Sequence, residues 1–153
     1  MTTVDNDLIS ATSRARNHAP YDPPVILVTE PDEQRRLLYM TTLRDAGYDA
    51  IGAADTRTAL AEAADRSPSL VIVQIAGATA DTLSICRRLR TQAGHQRVPI
   101  LVLTKYDDAY TRDQIIGAGA TAVMVEPLKH QTVLVKQVRR LLLTATGRRR
   151  AIS

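Results

Sequence analysis

Four short runs of apolar, mostly branched residues constrain this chain most: 25–28, 70–73, 100–103 and 122–125. None alternates apolar with polar residues, so each fits a strand buried on both faces. A weaker fifth run, 48–52, lies between the first two. Helical patterns fill the gaps. Asp32 is placed to cap a helix over 33–46, with Leu37, Met40 and Leu43 on one face and Gly47 as its stop. Asp55 caps a second, whose stripe is Leu60, Ala63 and Ala64 and whose end is Ser67-Pro68. The third spans about 81–90, with Ile85, Cys86 and Leu89 inward and Arg87, Arg88 and Arg90 toward water. The fourth, about 107–117, is thinly anchored by Ala109, Ile115 and Ile116. The fifth, about 130–145, repeats Leu134, Val138, Leu141 and Leu142 at i, i+4, i+7 and i+8.

Strand and helix therefore alternate five times. This predicts an α/β domain, a doubly wound five-stranded parallel sheet with helices on both faces. The domain is expected over 25–146, after a polar, flexible leader at 1–24 and before a short basic tail at 147–153. Ligand chemistry in such sheets lies beyond the C-terminal ends of the strands. The residues to weigh are therefore 29–32, 74–75, 104–105 and 126–127.

Composition removes several function classes. A chain of 153 residues fits one domain. With no Trp or Phe and five Tyr, it lacks a stacking platform for single-stranded nucleic acid. One cysteine, Cys86, excludes a disulfide framework and a cysteine-based zinc site, and its place on an apolar helical face reads as core. No apolar run approaches a membrane span, and the first twenty residues lack the apolar centre of a secretory signal, so the expected compartment is the cytoplasm. The net charge of +4 is unevenly placed: residues 128–153 carry +7 and residues 1–24 carry −1, which leaves −2 for residues 25–127.

The strand ends narrow the chemistry further. Thr29-Glu30-Pro31-Asp32 offers no glycine and would repel a pyrophosphate, so a dinucleotide site is excluded, and no P-loop is present. His18, His95 and His130 have no plausible metal-ligand partners in sequence. Acids after the first strand, a hydroxyl after the fourth and a residue–proline pair after the fifth resemble a response-regulator receiver domain. The blocks carrying the resemblance are ILVTEPDEQRRLL, SPSLVIVQI, VPILVLT and GATAVMVEPL, kept at nearly ungapped spacing over about 25–145.

The resemblance implies the flavodoxin-like strand order 2-1-3-4-5. It also implies a chemistry: transfer of a phosphoryl group from a partner histidine kinase to an aspartate. An acidic pair holds Mg²⁺ there, while a Thr or Ser and a Lys contact the phosphate. Carried over residue by residue, Glu30 matches the first acid, Pro31 stands where the second belongs, and Asp32 follows. Gln74 stands at the acceptor, Thr104 at the hydroxyl, Glu126 at the lysine and Val123 at the switching aromatic. An amide is a poor nucleophile and forms no acyl phosphate, and Glu126 would repel a phosphate. The chain is therefore expected to be no enzyme, to need no cofactor, Mg²⁺ included, and to act as a degenerate receiver.

Its expected work is phosphorylation-independent docking to another signalling or regulatory protein, or to a second copy of itself. The face expected to dock combines the fourth helix, fifth strand and fifth helix, with Tyr106, Tyr110, Val123, Met124 and Lys129 as contacts. At this length no DNA-binding output domain is expected. One alternative is nucleic-acid or acidic-surface binding through Lys136, Arg139, Arg140 and the tail Arg148–Arg150. Another is a displaced acceptor at Asp32 or Asp81. In a purely structural reading, Glu30 and Asp32 favour the start of the first helix, Glu126 pairs with Lys105, and Gln74 bonds within the pocket.

Overall fold

The computed structural model describes residues 22–77, 80–92 and 94–152, apart from the side chains of Asp81, Thr82 and residues 147–152. Five strands, β1 (Val25–Thr29), β2 (Asp49–Ala53), β3 (Leu70–Ile75), β4 (Ile100–Thr104) and β5 (Ala122–Val125), alternate with five helices. These are α1 (Glu33–Asp45), α2 (Thr56–Arg66), α3 (Ala80–Thr91), α4 (Ala109–Gly117) and α5 (Gln131–Ile152). The sheet is parallel, in the order β2-β1-β3-β4-β5. The predicted architecture and strand order are thus present.

Alternation along each strand sends neighbouring side chains to opposite faces. Leu27, Val71, Val73, Val102 and Val123 pack with Ala59, Ala63, Leu83, Cys86, Leu89 and Ile115, which puts α2, α3 and α4 on one face. Val28, Ile72, Leu101 and Met124 pack with Tyr39, Met40, Leu43, Leu134, Val138 and Leu141, which puts α1 and α5 on the other. Burial pushes the Cys86 thiol up to about 11, as expected for a core residue.

Several local expectations need correction. Run 122–125 forms β5, an edge strand whose residues are only half-buried; four apolar residues in a row do not distinguish an edge from a centre. Leu37 is 51% exposed, because Tyr39, Met40 and Leu43 form the inward stripe of α1. Ile116 is exposed at 45%, and α4 is held by Thr111 and Ile115. The α2 stripe is Ala59 and Ala63, with Ala64 exposed. Helix α5 continues to Ile152, so the backbone at 147–152 extends the helix where a separate tail was expected. The leader at 1–21 and the side chains of Arg148–Arg150 lie outside the described residues. Among the described residues, no helix is long and apolar enough to cross a membrane.

Helix α1 sits close on the sheet because of Gly52. A Cβ there would stand 2.7 Å from Met40 Sδ and 3.1 Å from Arg36 Cδ. Gly52→Ala is expected to cost about 1 kcal/mol, at the low end for overpacking because Met40 can flex. Urea denaturation reads the change; an equal or higher midpoint would contradict the close approach.

Candidate functional site

The pocket is built from the first residues beyond β1 and β5 and the penultimate residue of β3. Register places Thr29 beside Val73, so Glu30 follows on β1 where Gln74 follows on β3. Glu30 is 2% exposed and Glu126 7%. Gln74 is half-buried and Thr104 fully buried. Alternation sends Gln74 to the face of Ile72, and Glu126 to the face of Met124, which is the α1/α5 side.

Buried carboxylates need partners, and here they come from α1 and from Gln74. Glu126 accepts from the Tyr39 hydroxyl. It also accepts, through Oε1, a long hydrogen bond of 3.5 Å from Gln74 Nε2. Glu30 Oε1 accepts from the Arg35 guanidinium at 3.3 Å, and Oε2 accepts from the Asp32 amide at 3.1 Å. Arg36 donates to the Glu30 carbonyl at 2.8 Å. Asp32 is exposed and caps α1, its Oδ2 accepting from Arg35 N at 2.8 Å. Pro31 is exposed, and the Glu126–Pro127 peptide is cis. Thr104 Oγ1 accepts from Tyr106 N at 3.3 Å.

Burial raises the pKa of Glu30, and the negative charges of Glu126 and Asp32 push it further; the Asp32 amide and Arg35 pull it back. Burial, followed by the bond to Glu126 and the charges of Glu126 and Glu30, drives the Tyr39 phenol above its ordinary range.

The structure brings Glu30, Gln74 and Glu126 together. Lys105 is exposed, and among the described residues no ion pair joins it to Glu126, because Glu126 turns toward α1. Tyr39 and Arg35 are the pocket partners the sequence pattern missed. Tyr39 reads as one more apolar position of a helix, and only the buried acid at 126 demands a donor there.

A divalent cation does not suit this donor set. Both Glu30 oxygens are engaged, Pro31 offers no side-chain ligand, and Asp32 faces the helix start. Gln74 turns its amide nitrogen, a donor, toward Glu126.

The expected docking residues are only partly one surface. Tyr106 and Tyr110 are 52% and 71% exposed, and Lys129 is exposed. Val123 and Met124 lean to opposite faces of the edge strand. Lys136, Arg139 and Arg140 are exposed on α5, as expected. Asp81 lies in the first turn of α3, with its side chain outside the described residues.

Residues 25–139 match the family model described as the response regulator receiver domain. The alkaline phosphatase synthesis transcriptional regulatory protein PhoP of Bacillus subtilis is 32% identical over 110 residues, which is 71% of this chain and 44% of that protein. The response regulator MprA of Mycolicibacterium vanbaalenii is 32% identical over 114 residues, 74% of this chain and 48% of that one. The chain thus spans less than half the length of these two relatives. Among solved structures, the chemotaxis protein CheY4 of Vibrio cholerae aligns with a TM-score of 0.72 at 27% identity, covering 78% of this chain and 98% of that one. NtrX of Brucella abortus aligns at 0.75 and 27% identity, covering 84% of this chain and 29% of that one.

Proposed function

The chain belongs to the response regulator receiver family, and we propose that it signals without phosphoryl chemistry, by docking to another signalling or regulatory protein. One observation carries this reading: the acceptor and lysine positions, here Gln74 and Glu126, are hydrogen-bonded to each other. A neutral amide replaces the nucleophilic carboxylate, and a carboxylate replaces the cation that would meet the phosphate. The engagement of Glu30 by Arg35 supports a pocket that works without Mg²⁺. The protein is then no enzyme and needs no cofactor.

The exposed Tyr106 and Tyr110 and the edge strand β5 support docking along α4 and β5, with Lys129 at its rim. A second copy of the chain is the other occupant of that surface. Asp32, committed to capping α1, gives little support to a displaced acceptor.

Intact-mass measurement after incubation with acetyl phosphate and Mg²⁺ tests the reading. The expected result is an unmodified chain. An acid-labile adduct at residue 74 or a neighbour would overturn it.

A further inference from the structure

The partners of the pocket's buried acids come from one direction. Apart from Gln74 and the Asp32 amide, every described donor to Glu30 and Glu126 side chains belongs to α1: Arg35 at Glu30 and Tyr39 at Glu126. Arg36 adds a third bond from α1, to the Glu30 carbonyl. The same helix reaches α5, where Thr42 Oγ1 lies 3.3 Å from Gln131 Oε1 and shares its one hydrogen between that oxygen and the Leu38 carbonyl at 2.8 Å. Helix α1 therefore joins the pocket, where Gln74 and Tyr39 meet Glu126, to the contact of Thr42 with Gln131 at the start of α5.

Toward α4 the connection is slight. Thr104 follows Leu103 on the strand, and alternation gives it the opposite face from Gln74 and Glu126. Its hydroxyl receives only the Tyr106 amide among the described hydrogen bonds. Val123, on β5, has no polar atom with which to follow a change at the hydroxyl.

We propose that the pocket of this chain is coupled to α1 and the start of α5 rather than to α4, with Tyr39 and Arg35 as the positioning residues that make the coupling. The proposal rests on the reading of a pocket closed by its own hydrogen bonds. Breaking the Tyr39–Glu126 bond frees a buried carboxylate and loosens α1, which in turn frees Gln131. A partner that displaces α1 opens the pocket, and a partner on α4 leaves it closed.

Amide hydrogen exchange on the full chain tests this with three variants. Tyr39→Phe keeps the ring and removes the donor. Arg35→Gln alters a side chain that is 37% exposed. Thr104→Val removes the opposite hydroxyl. Both α1 variants are expected to speed exchange in α1 and residues 126–134 by about ten-fold, the loss of one hydrogen bond to a charged group. Exchange in α4 should stay within about two-fold of the unaltered chain, and Thr104→Val should leave α1 unchanged. Equal acceleration in α4, a uniform rise throughout the chain, or an α1 response to Thr104→Val as large as that to Tyr39→Phe would overturn the coupling. A phosphodonor assay on the same samples separates the two readings. An adduct on the unaltered chain defeats the inert pocket, whereas the regional exchange pattern decides the coupling.

Discussion

Arg90→Ala is expected to lower the melting temperature by about 10 °C, corresponding to roughly 3 kcal/mol for a domain of this size. Arg90 lies in the last turn of α3, and burial lowers its pKa. Its guanidinium donates to the Gly119 carbonyl at 2.9 Å, to Thr121 Oγ1 at 3.2 Å and to the His95 carbonyl at 3.3 Å, as well as to the Val98 carbonyl. Thr121 Oγ1 in turn accepts from Ile100 N at 3.0 Å. One side chain thereby ties α3, the approach to β4 and the turn before β5. Truncation strands several carbonyl oxygens where water has poor access, and unmade bonds of this kind cost more than made ones gain. Arg90→Lys should recover less than half of the loss, since a single ammonium cannot reproduce the planar fork. Thermal unfolding by circular dichroism measures both. A melting temperature within about 2 °C of the unaltered chain would show that the clamp contributes little.

The second large effect concerns chemistry. Gln74→Asp alone is expected to remain unmodified by acetyl phosphate and Mg²⁺. It would set a third carboxylate beside Glu30 and Glu126, and crowding of like charges favours a protonated acid over a nucleophilic carboxylate. The triple change Pro31→Asp, Gln74→Asp, Glu126→Lys supplies a second metal-binding acid, the nucleophile and the cation together. It should take up a phosphoryl group at least about ten-fold more extensively than the unaltered chain, since a suitably placed cation is worth several kcal/mol to such a transfer. Intact mass reads the difference. A folded triple variant that stays unmodified would show that these three replacements are not sufficient, and would point to Arg35, which still engages Glu30 in the variant.

Much of the fold was legible because burial on both faces leaves an unambiguous mark. The apolar runs before Thr29, Gln74 and Thr104 need no knowledge of their neighbours to be read as strands. Asp32 and Asp55 were equally readable, and each caps its helix by accepting from a backbone amide three residues on; Asp108 caps α4 in the same way, a role the sequence reading did not assign. Of the pocket, the positions of Glu30, Gln74 and Glu126 followed from where the strands end. Their partners did not. Nothing within α1 distinguishes Tyr39 from a core aromatic, or Arg35 from a solvated one, until the acid opposite is known. Arg90 fails in the same way. One position after Leu89 it looks like a water-facing residue, yet its stem lies against Gly119, where a Cβ would come within 2.8 Å of Arg90 Cγ. A glycine 29 positions downstream, at φ +116°, leaves room for that arginine's stem.

The strand order also has a consequence for how the chain is made. Because β1 lies between β2 and β3, a nascent chain exposed through residue 75 already contains both partners of its central strand. β4 and β5 then add to the same edge in the order in which they leave the ribosome, each beside the strand synthesised before it. The strand order permits vectorial growth, since no finished pair has to be opened to admit a later strand. Glu126 follows the last strand to arrive, so Tyr39 and Gln74 precede their shared acceptor by 87 and 52 residues. The pocket closes only when the fifth strand is in place, which makes its closure a record that the sheet is complete.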